Sequence, residues 1–412
     1  MVSRLPGREK SGVRSFAMRA NTSPSSQKPV VLLSYGLGVH STAAAVEIIE
    51  NPDARDFELD QLILLTAMTG DEWQSSKALV ESHLLPLLRD RRIRYVQVAR
   101  VGKFQRDGIV VLSDTDQPRE LYLEGAYKLS DELKRAGTVP TVCGTRKCSL
   151  KFKGWVLDQW IRRHFDRKNV RQIIGFHAGE LYRVEREMRY YSGTGPPIEH
   201  PLITWGWDDK RCFDYLHARF GVAWKKSCCG FCMFSAGKPE VIERFRAEPR
   251  SGAEAIILER TARALNPRMT LYSRNSVEEL IRADGNSRAV EIADDTLGRA
   301  EWKLMRVQRI RMKKGGAHRR TEELARGTKA EMDARLRDEA VLRNLPVTFE
   351  GGQARLYILR PTEDSSYPSA EEMIVAVPGT VESKCRKNFT RRWSELVSQQ
   401  YLFGASAVNQ TS

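Results

Sequence analysis

No apolar run in this 412-residue chain approaches the length needed to span a bilayer, so a membrane protein is not expected. Internal repeats and long low-complexity segments are missing too, which excludes a solenoid or repeat array. No Gly-Lys-Ser/Thr follows a glycine loop and no GxGxxG occurs, so neither common phosphate-binding fingerprint is present. Carboxylates are the scarcer charge: 52 Asp and Glu against 67 Lys and Arg leave a formal charge of +15. That balance favours an anionic partner such as nucleic acid or a nucleotide. Seven unevenly placed cysteines do not make a disulfide framework, and point instead to metal or redox use in a reducing, cytoplasmic setting. Residues 1–28 are basic and rich in Ser and Pro without the apolar segment of a secretory signal. They read as a disordered leader.

What is present is an alternation of buried strands and helices. Val30 to Leu33 is an apolar β-branched run that ends in Ser34-Tyr-Gly-Leu-Gly-Val-His-Ser-Thr42 and opens a helix through Glu50. Strand, glycine turn and helix N-terminus together present backbone N–H groups and a positive dipole end to a phosphate. Gly36 and Gly38 permit close approach, and Ser41 and Thr42 can cap the helix or bond a phosphate oxygen. Gln61 to Thr66 reads as a second strand, Ser75 to Arg89 as a helix, Arg94 to Val98 as a third strand and Val170 to Gly175 as a fourth. The expected fold is therefore α/β, a parallel sheet flanked by helices with ligands outside the carboxyl ends of its strands. This domain is expected over 29–250, followed by a mostly helical basic extension over 251–345 and a small α+β segment over 346–412. Within the extension, 306–320 holds seven Arg or Lys and no carboxylate, a segment that could neutralise phosphates of DNA or tRNA or form a solvated helix face.

The cysteines form two groups. Cys229-x-x-Cys232 places two thiolates within reach of one metal, and Cys148 lies far off in sequence at the start of a helix. Cys143 or Cys228 could supply a fourth ligand, and four thiolates suit tetrahedral zinc or an iron–sulfur cluster. Cys212 and Cys385 stand apart and read as small hydrophobes.

With these motifs in order, residues 28–250 resemble the phosphoadenosine phosphosulfate (PAPS) reductase-like branch of the adenine-nucleotide alpha-hydrolase, or PP-loop ATP pyrophosphatase, superfamily, nearest its phage and DNA-modification members. Gly36-Leu-Gly-Val-His-Ser41 stands in place of a Ser-Gly-Gly-x-Asp-Ser loop, and Met68-Thr-Gly-Asp-Glu72 in place of Asp-Thr-Gly-x-Glu. Arg146-Lys-Cys-Ser-Leu-Lys-Phe-Lys153 is similar to an Arg-x-Cys-Thr segment ending in Lys. Ile174-Gly-Phe-His-Ala-Gly-Glu-Leu-Tyr-Arg183 is similar to Gly-Ile-x-x-Asp-Glu-x-x-Arg. Pro201-Leu-Ile-Thr-Trp205 and Ser227-Cys-Cys-Gly-Phe-Cys-Met-Phe234 complete the series.

The resemblance implies a Rossmann-like sheet and binding of ATP or a related adenylate, with Mg²⁺, at Ser34, Gly36, Gly38, Ser41, Thr42, Thr69 and Gly70. It further implies phosphate contacts from Lys153 and Arg183, a role for Glu180 at Mg²⁺, and a 4Fe-4S cluster, or zinc, on Cys148, Cys229 and Cys232, with Cys143 favoured over Cys228 as fourth ligand. Three departures stand out: His40, Met68 and Gly179 occupy positions where the pattern has Asp. His40 becomes a candidate phosphate contact or proton donor. The expected function is nucleotide activation for sulfur transfer or nucleic-acid modification, with a sulfur-donor protein as a further partner. The alternative is a metal-containing nucleic-acid-binding protein with a degenerate nucleotide site, and a third reading is a true PAPS or APS reductase.

Overall fold

A computed structural model describes residues 29–140, 146–166, 169–191, 197–235, 239–272, 275–313, 317–360 and 367–408. Six strands make the first sheet: β1 (Val30–Ser34), β2 (Leu62–Met68), β3 (Arg94–Arg100), β4 (Ile109–Thr115), β5 (Val170–Ile174) and β6 (Ile198–Glu199). Their order is β4-β3-β2-β1-β5-β6, with every neighbouring pair parallel except β3 and β4. Val31 and Leu33 face one apolar cluster and Leu32 the opposite one, so β1 is buried on both sides. Double burial explains why these strands read as continuous apolar runs rather than alternating ones. From β1 the chain builds outward through β2 and β3, then crosses back to place β5 on the other side of β1. The order reverses there, and in open α/β sheets ligands lie in the crevice at such a switch.

The antiparallel strand β4 closes one edge of the sheet, and the α-helix Leu129–Ala136 follows it. β4 is half-buried along its length and pairs with β3 through Arg94 and Asp114, which form a two-pronged ion pair at 2.7 Å. Its first four residues, Ile109 to Leu112, are an apolar run, yet none is fully buried, because the strand covers a sheet edge rather than filling a core.

Residues 251–345 are mostly helical, and they also carry the first two strands of a second sheet. β7 (Trp302–Arg311), β8 (Ala317–Gly327), β9 (Val347–Glu350), β10 (Gln353–Leu359) and β11 (Ser369–Pro378) run antiparallel in the order β8-β7-β11-β10-β9. The small α+β segment expected over 346–412 contains the antiparallel pair β10 and β11, with Leu356 opposite Ile374. The basic run 306–320 supplies β7 from Arg306 onward and the start of β8. Met305 and Val307 face one core while Trp302 and Leu304 face another, a period of two that the intervening arginines obscure.

The expected domain boundary at 250 falls inside continuous structure. Pro239–Ala247 and Pro249–Leu265 are successive helices, and Pro249 opens the second as an N-terminal proline rather than a linker. Pro249–Leu265 packs against β11 and against Leu129–Ala136, tying the two sheets together. One apolar cluster accordingly runs from Trp73, Phe152 and Phe231 to Trp302 and Leu356. Among the described residues, no helix is long and apolar enough to cross a membrane.

Candidate functional site

The turn after β1 is closed by its own side chains. Ser41 Oγ donates to the Gly38 carbonyl at 3.1 Å and accepts from Gly36 N–H at 3.1 Å. Thr42 Oγ1 donates to the same carbonyl at 2.9 Å and lies 3.1 Å from the Tyr35 hydroxyl. Ser34 Oγ accepts from the Gln172 amide of β5 at 2.8 Å. The three hydroxyls expected to meet phosphate are thus engaged in building the turn. What the turn leaves open is the helix start: Val39–Glu50 is capped by Gly38 without a side-chain bond.

The remaining motifs gather around that start. A Cβ on Gly38 would sit 3.0 Å from the Ser227 backbone nitrogen, and one on Gly175 would sit 2.9 Å from Ser41 Cα, so glycine is what lets these chains touch. Trp224 Nε1 donates to the Leu37 carbonyl at 3.3 Å. Ala178 N–H reaches the Trp207 carbonyl at 2.8 Å, joining the loop after β5 to the segment that follows Pro201–Trp205. Glu72 bridges Cys229, and Gly230 N–H donates to the Asp71 carbonyl at 3.0 Å. The Arg146 guanidinium stacks 3.7 Å from the Phe234 ring centroid. Segments up to 190 residues apart in sequence therefore line one end of one sheet.

At the crevice, His40 Nε2 lies 2.6 Å from Asp209 Oδ1, and Lys226 Nζ donates to Asp209 Oδ2 at 2.9 Å. Burial opposes ionisation of Asp209, but Lys226 and His40 outweigh it and hold the carboxyl below its ordinary range. Burial pushes the His40 pKa down, opposed by Asp209, so the imidazole is predominantly neutral near pH 7. The His40 and His177 rings lie 4.5 Å apart, and His177 Nδ1 accepts from Gly179 N–H at 3.2 Å. Glu180 Oε1 accepts from Arg183 at 2.7 Å, while Oε2 is shut off from solvent without a hydrogen-bond partner. Arg183 also stacks on Phe176 at 4.1 Å.

Thr69 and Gly70 lie at the end of β2, where Glu72 gathers Thr69 N–H, Thr69 Oγ1 and Gly70 N–H at 2.8–3.0 Å. Their donors are spent on that turn. Glu72 is thereby a structural carboxylate. Asp71 accepts from Ser130 N–H at 2.8 Å, and burial pushes its pKa up to about 7. Lys153 is half-buried in a π-helical turn, Leu150–Gly154, that packs on β2, and it makes no ion pair among the described residues.

Cys228, Cys229 and Cys232 come together. The Cys232 thiol contacts Cys228, which lowers its pKa, and Cys229, which with burial pushes it up to about 11 on balance. Cys148, Cys228 and Cys229 pack on the same apolar cluster, where the Tyr272 hydroxyl is buried with no hydrogen-bond partner. These thiols do not form a group of three within 4.8 Å of one another among the described residues, as zinc would require. Cys143 lies outside the described residues. Cys212 is buried as expected, whereas Cys385 is exposed.

Most of the basic run 306–320 is committed. Arg306 pairs with Glu372 at 2.5 Å, and Arg309 and Arg311 both pair with Glu371. Arg319 donates to the Gly137 carbonyl at 3.1 Å and to that of Ala136, and Arg320 pairs with Glu322 at 3.0 Å. Lys314 lies outside the described residues.

Sequence reasoning did not single out His177, Asp209 or Lys226. Asp208 and Asp209 open a helix, and Asp208 alone caps it by accepting from Arg211 N–H at 2.7 Å. A second acid beside a sufficient cap was the available signal for Asp209. Scans against protein-family models, curated proteins and solved structures found no match to this chain.

Proposed function

We propose that this protein is a PAPS reductase-like, Rossmann-like nucleotide-binding enzyme that activates an acceptor for sulfur transfer or nucleic-acid modification. The observation that carries the reading is convergence: Gly36–Thr42, Thr69–Glu72, Phe176–Arg183 and Ser227–Phe234, collinear with the family's motifs, meet at the carboxyl ends of β1, β2 and β5. An adenylate there would lie at the switch between β1 and β5 with its phosphates toward the start of Val39–Glu50. Arg183 and Lys226 supply positive charge, and His40, neutral and oriented by Asp209, is placed to take or give a proton. The Ser41 and Thr42 hydroxyls are spent on the turn, so backbone N–H groups and these side chains carry most of the binding.

The thiols suit a metal–sulfur group in donor type. Cys148, Cys229 and Cys232 with Cys143, or with Cys228, would hold a 4Fe-4S cluster, which would supply electron transfer or a sulfur-binding edge beside the nucleotide. The buried, unpartnered Tyr272 hydroxyl beside Cys228, Cys229 and Cys232 supports this reading, since an occupant there could bond it.

The alternative, a nucleic-acid-binding protein with a degenerate nucleotide site, draws on the missing carboxylates at His40, Met68 and Gly179. It loses support from 306–320, whose arginines are mostly paired. Labelled ATP with Mg²⁺, with and without DNA or tRNA, separates the two. Pyrophosphate release that His40→Ala abolishes is expected; salt-sensitive nucleic-acid binding with no release under any condition would favour the alternative.

A further inference from the structure

We propose that His40, His177 and Glu180 form a binding site for a first-row transition-metal dication, with Asp209 as the outer carboxylate that orients His40. One ligand atom from each of the three lies within 4.8 Å of the other two. They come from separate elements: His40 from the first turn after Gly38, His177 and Glu180 from the loop after β5. The contact between Gly175 and Ser41 fixes the distance between those elements. The site is thus set by the sheet rather than by one flexible loop.

Each ligand has a reason to accept a cation. A carboxylate can only accept, so Asp209 takes the Nε2 proton of His40 and leaves the Nδ1 lone pair for a metal. An imidazole whose other nitrogen donates to a carboxylate is the usual outer arrangement of a metal-bound histidine. Asp209 is itself pinned by Lys226. Glu180 has one oxygen tied to Arg183 and the other buried with nothing to bond, a costly state that a cation would relieve. His177 Nε2 lies 3.9 Å from Glu180 Oε2. Ligation through it moves the ring proton to Nδ1 and releases the 3.2 Å contact from Gly179 N–H, an amide in an exposed turn that water can serve.

Two imidazoles and one carboxylate select zinc, iron, cobalt or nickel over magnesium or calcium, which prefer oxygen donors. Three protein ligands also leave positions open for water or a ligand oxygen. The site is independent of the thiols and is testable without nucleotide; with a cation on Nδ1, His40 acts as a ligand and not as the proton carrier.

Cobalt(II) chloride titrated into the full chain tests the proposal, because thiolate ligation gives sulfur-to-cobalt charge-transfer absorption and histidine–carboxylate ligation gives d–d bands without it. We expect one d–d-only site per chain. His177→Ala and the nearly isosteric Glu180→Gln should each weaken it by more than ~100-fold, and Asp209→Asn by about 10–100-fold. Any charge-transfer bands should stay unchanged, and circular dichroism should confirm that the variants fold. Loss of nucleotide turnover with the d–d site intact would fault the proposed function alone. Wild-type spectra showing only thiolate bands, or equal d–d titrations for wild type and Glu180→Gln, would overturn the proposal.

Discussion

The two sheets treat charge in opposite ways. In the antiparallel sheet, Arg309 stands directly across from Glu371, and Gln308 across from Glu372, which also takes Arg306. Every acid there meets a cation or amide. At the β1/β5 crevice, Glu180 keeps one oxygen unbonded, and two histidines face each other with Asp209 bonded to only one of them. The richest run of positive charge in the sequence is therefore architecture, and the candidate site is a small group of two histidines and two carboxylates with their own cations. Paired charges tie the strands of the antiparallel sheet together, and an unbonded carboxylate oxygen stands at the crevice.

The sharpest way to break this contrast is Glu371→Ala. It leaves Arg309 buried without a counter-ion and should cost about 3–5 kcal/mol in denaturant unfolding; a loss below ~1 kcal/mol would mean that these pairs are not structural. Gly38→Ala should come next. Its Cβ meets the Ser227 backbone, so a loss of about 1–3 kcal/mol is expected together with lower ATP affinity. Unchanged affinity would place nucleotide binding elsewhere.

Smaller is the effect of Asp71, whose pKa is raised from 3.8 to about 7 by burial. The native state then holds a proton that the unfolded chain has lost. The stability contributed by protonated Asp71 is full below about pH 4 and disappears as pH rises through about 7. Urea midpoints at pH 5 and pH 8 should differ more for the wild type than for Asp71→Asn; equal differences would contradict it. Smallest of all, Asp209→Asn should change stability by no more than about 1 kcal/mol, since its ion pair is exposed. A large loss would make His40–Asp209 part of the frame and not of the site.

The parallel sheet was legible because its strands are apolar on both faces and its glycine turns are local. Val30–Ser34, the helix through Glu50 and Val170–Ile174 fall close to where the sequence pointed. The capping box of Ser276 and Glu279 is local in the same way, and both of its bonds form. β7 was hidden because arginines occupy strand positions whose partners, Glu371 and Glu372, lie 60 to 66 residues away. Asp209 was hidden similarly, 169 residues from His40. Glu180 and Arg183 were readable as a pair one turn apart, but the orphaned oxygen of Glu180 is visible only in three dimensions.

Hydrogen exchange with and without ATP tests most directly whether the ligand site lies at the crevice and not on the basic sheet. Slowed exchange is predicted for amides within 36–42 and 175–183, with 302–327 unchanged. Protection confined to 302–327, with the crevice amides unaffected, would contradict the account.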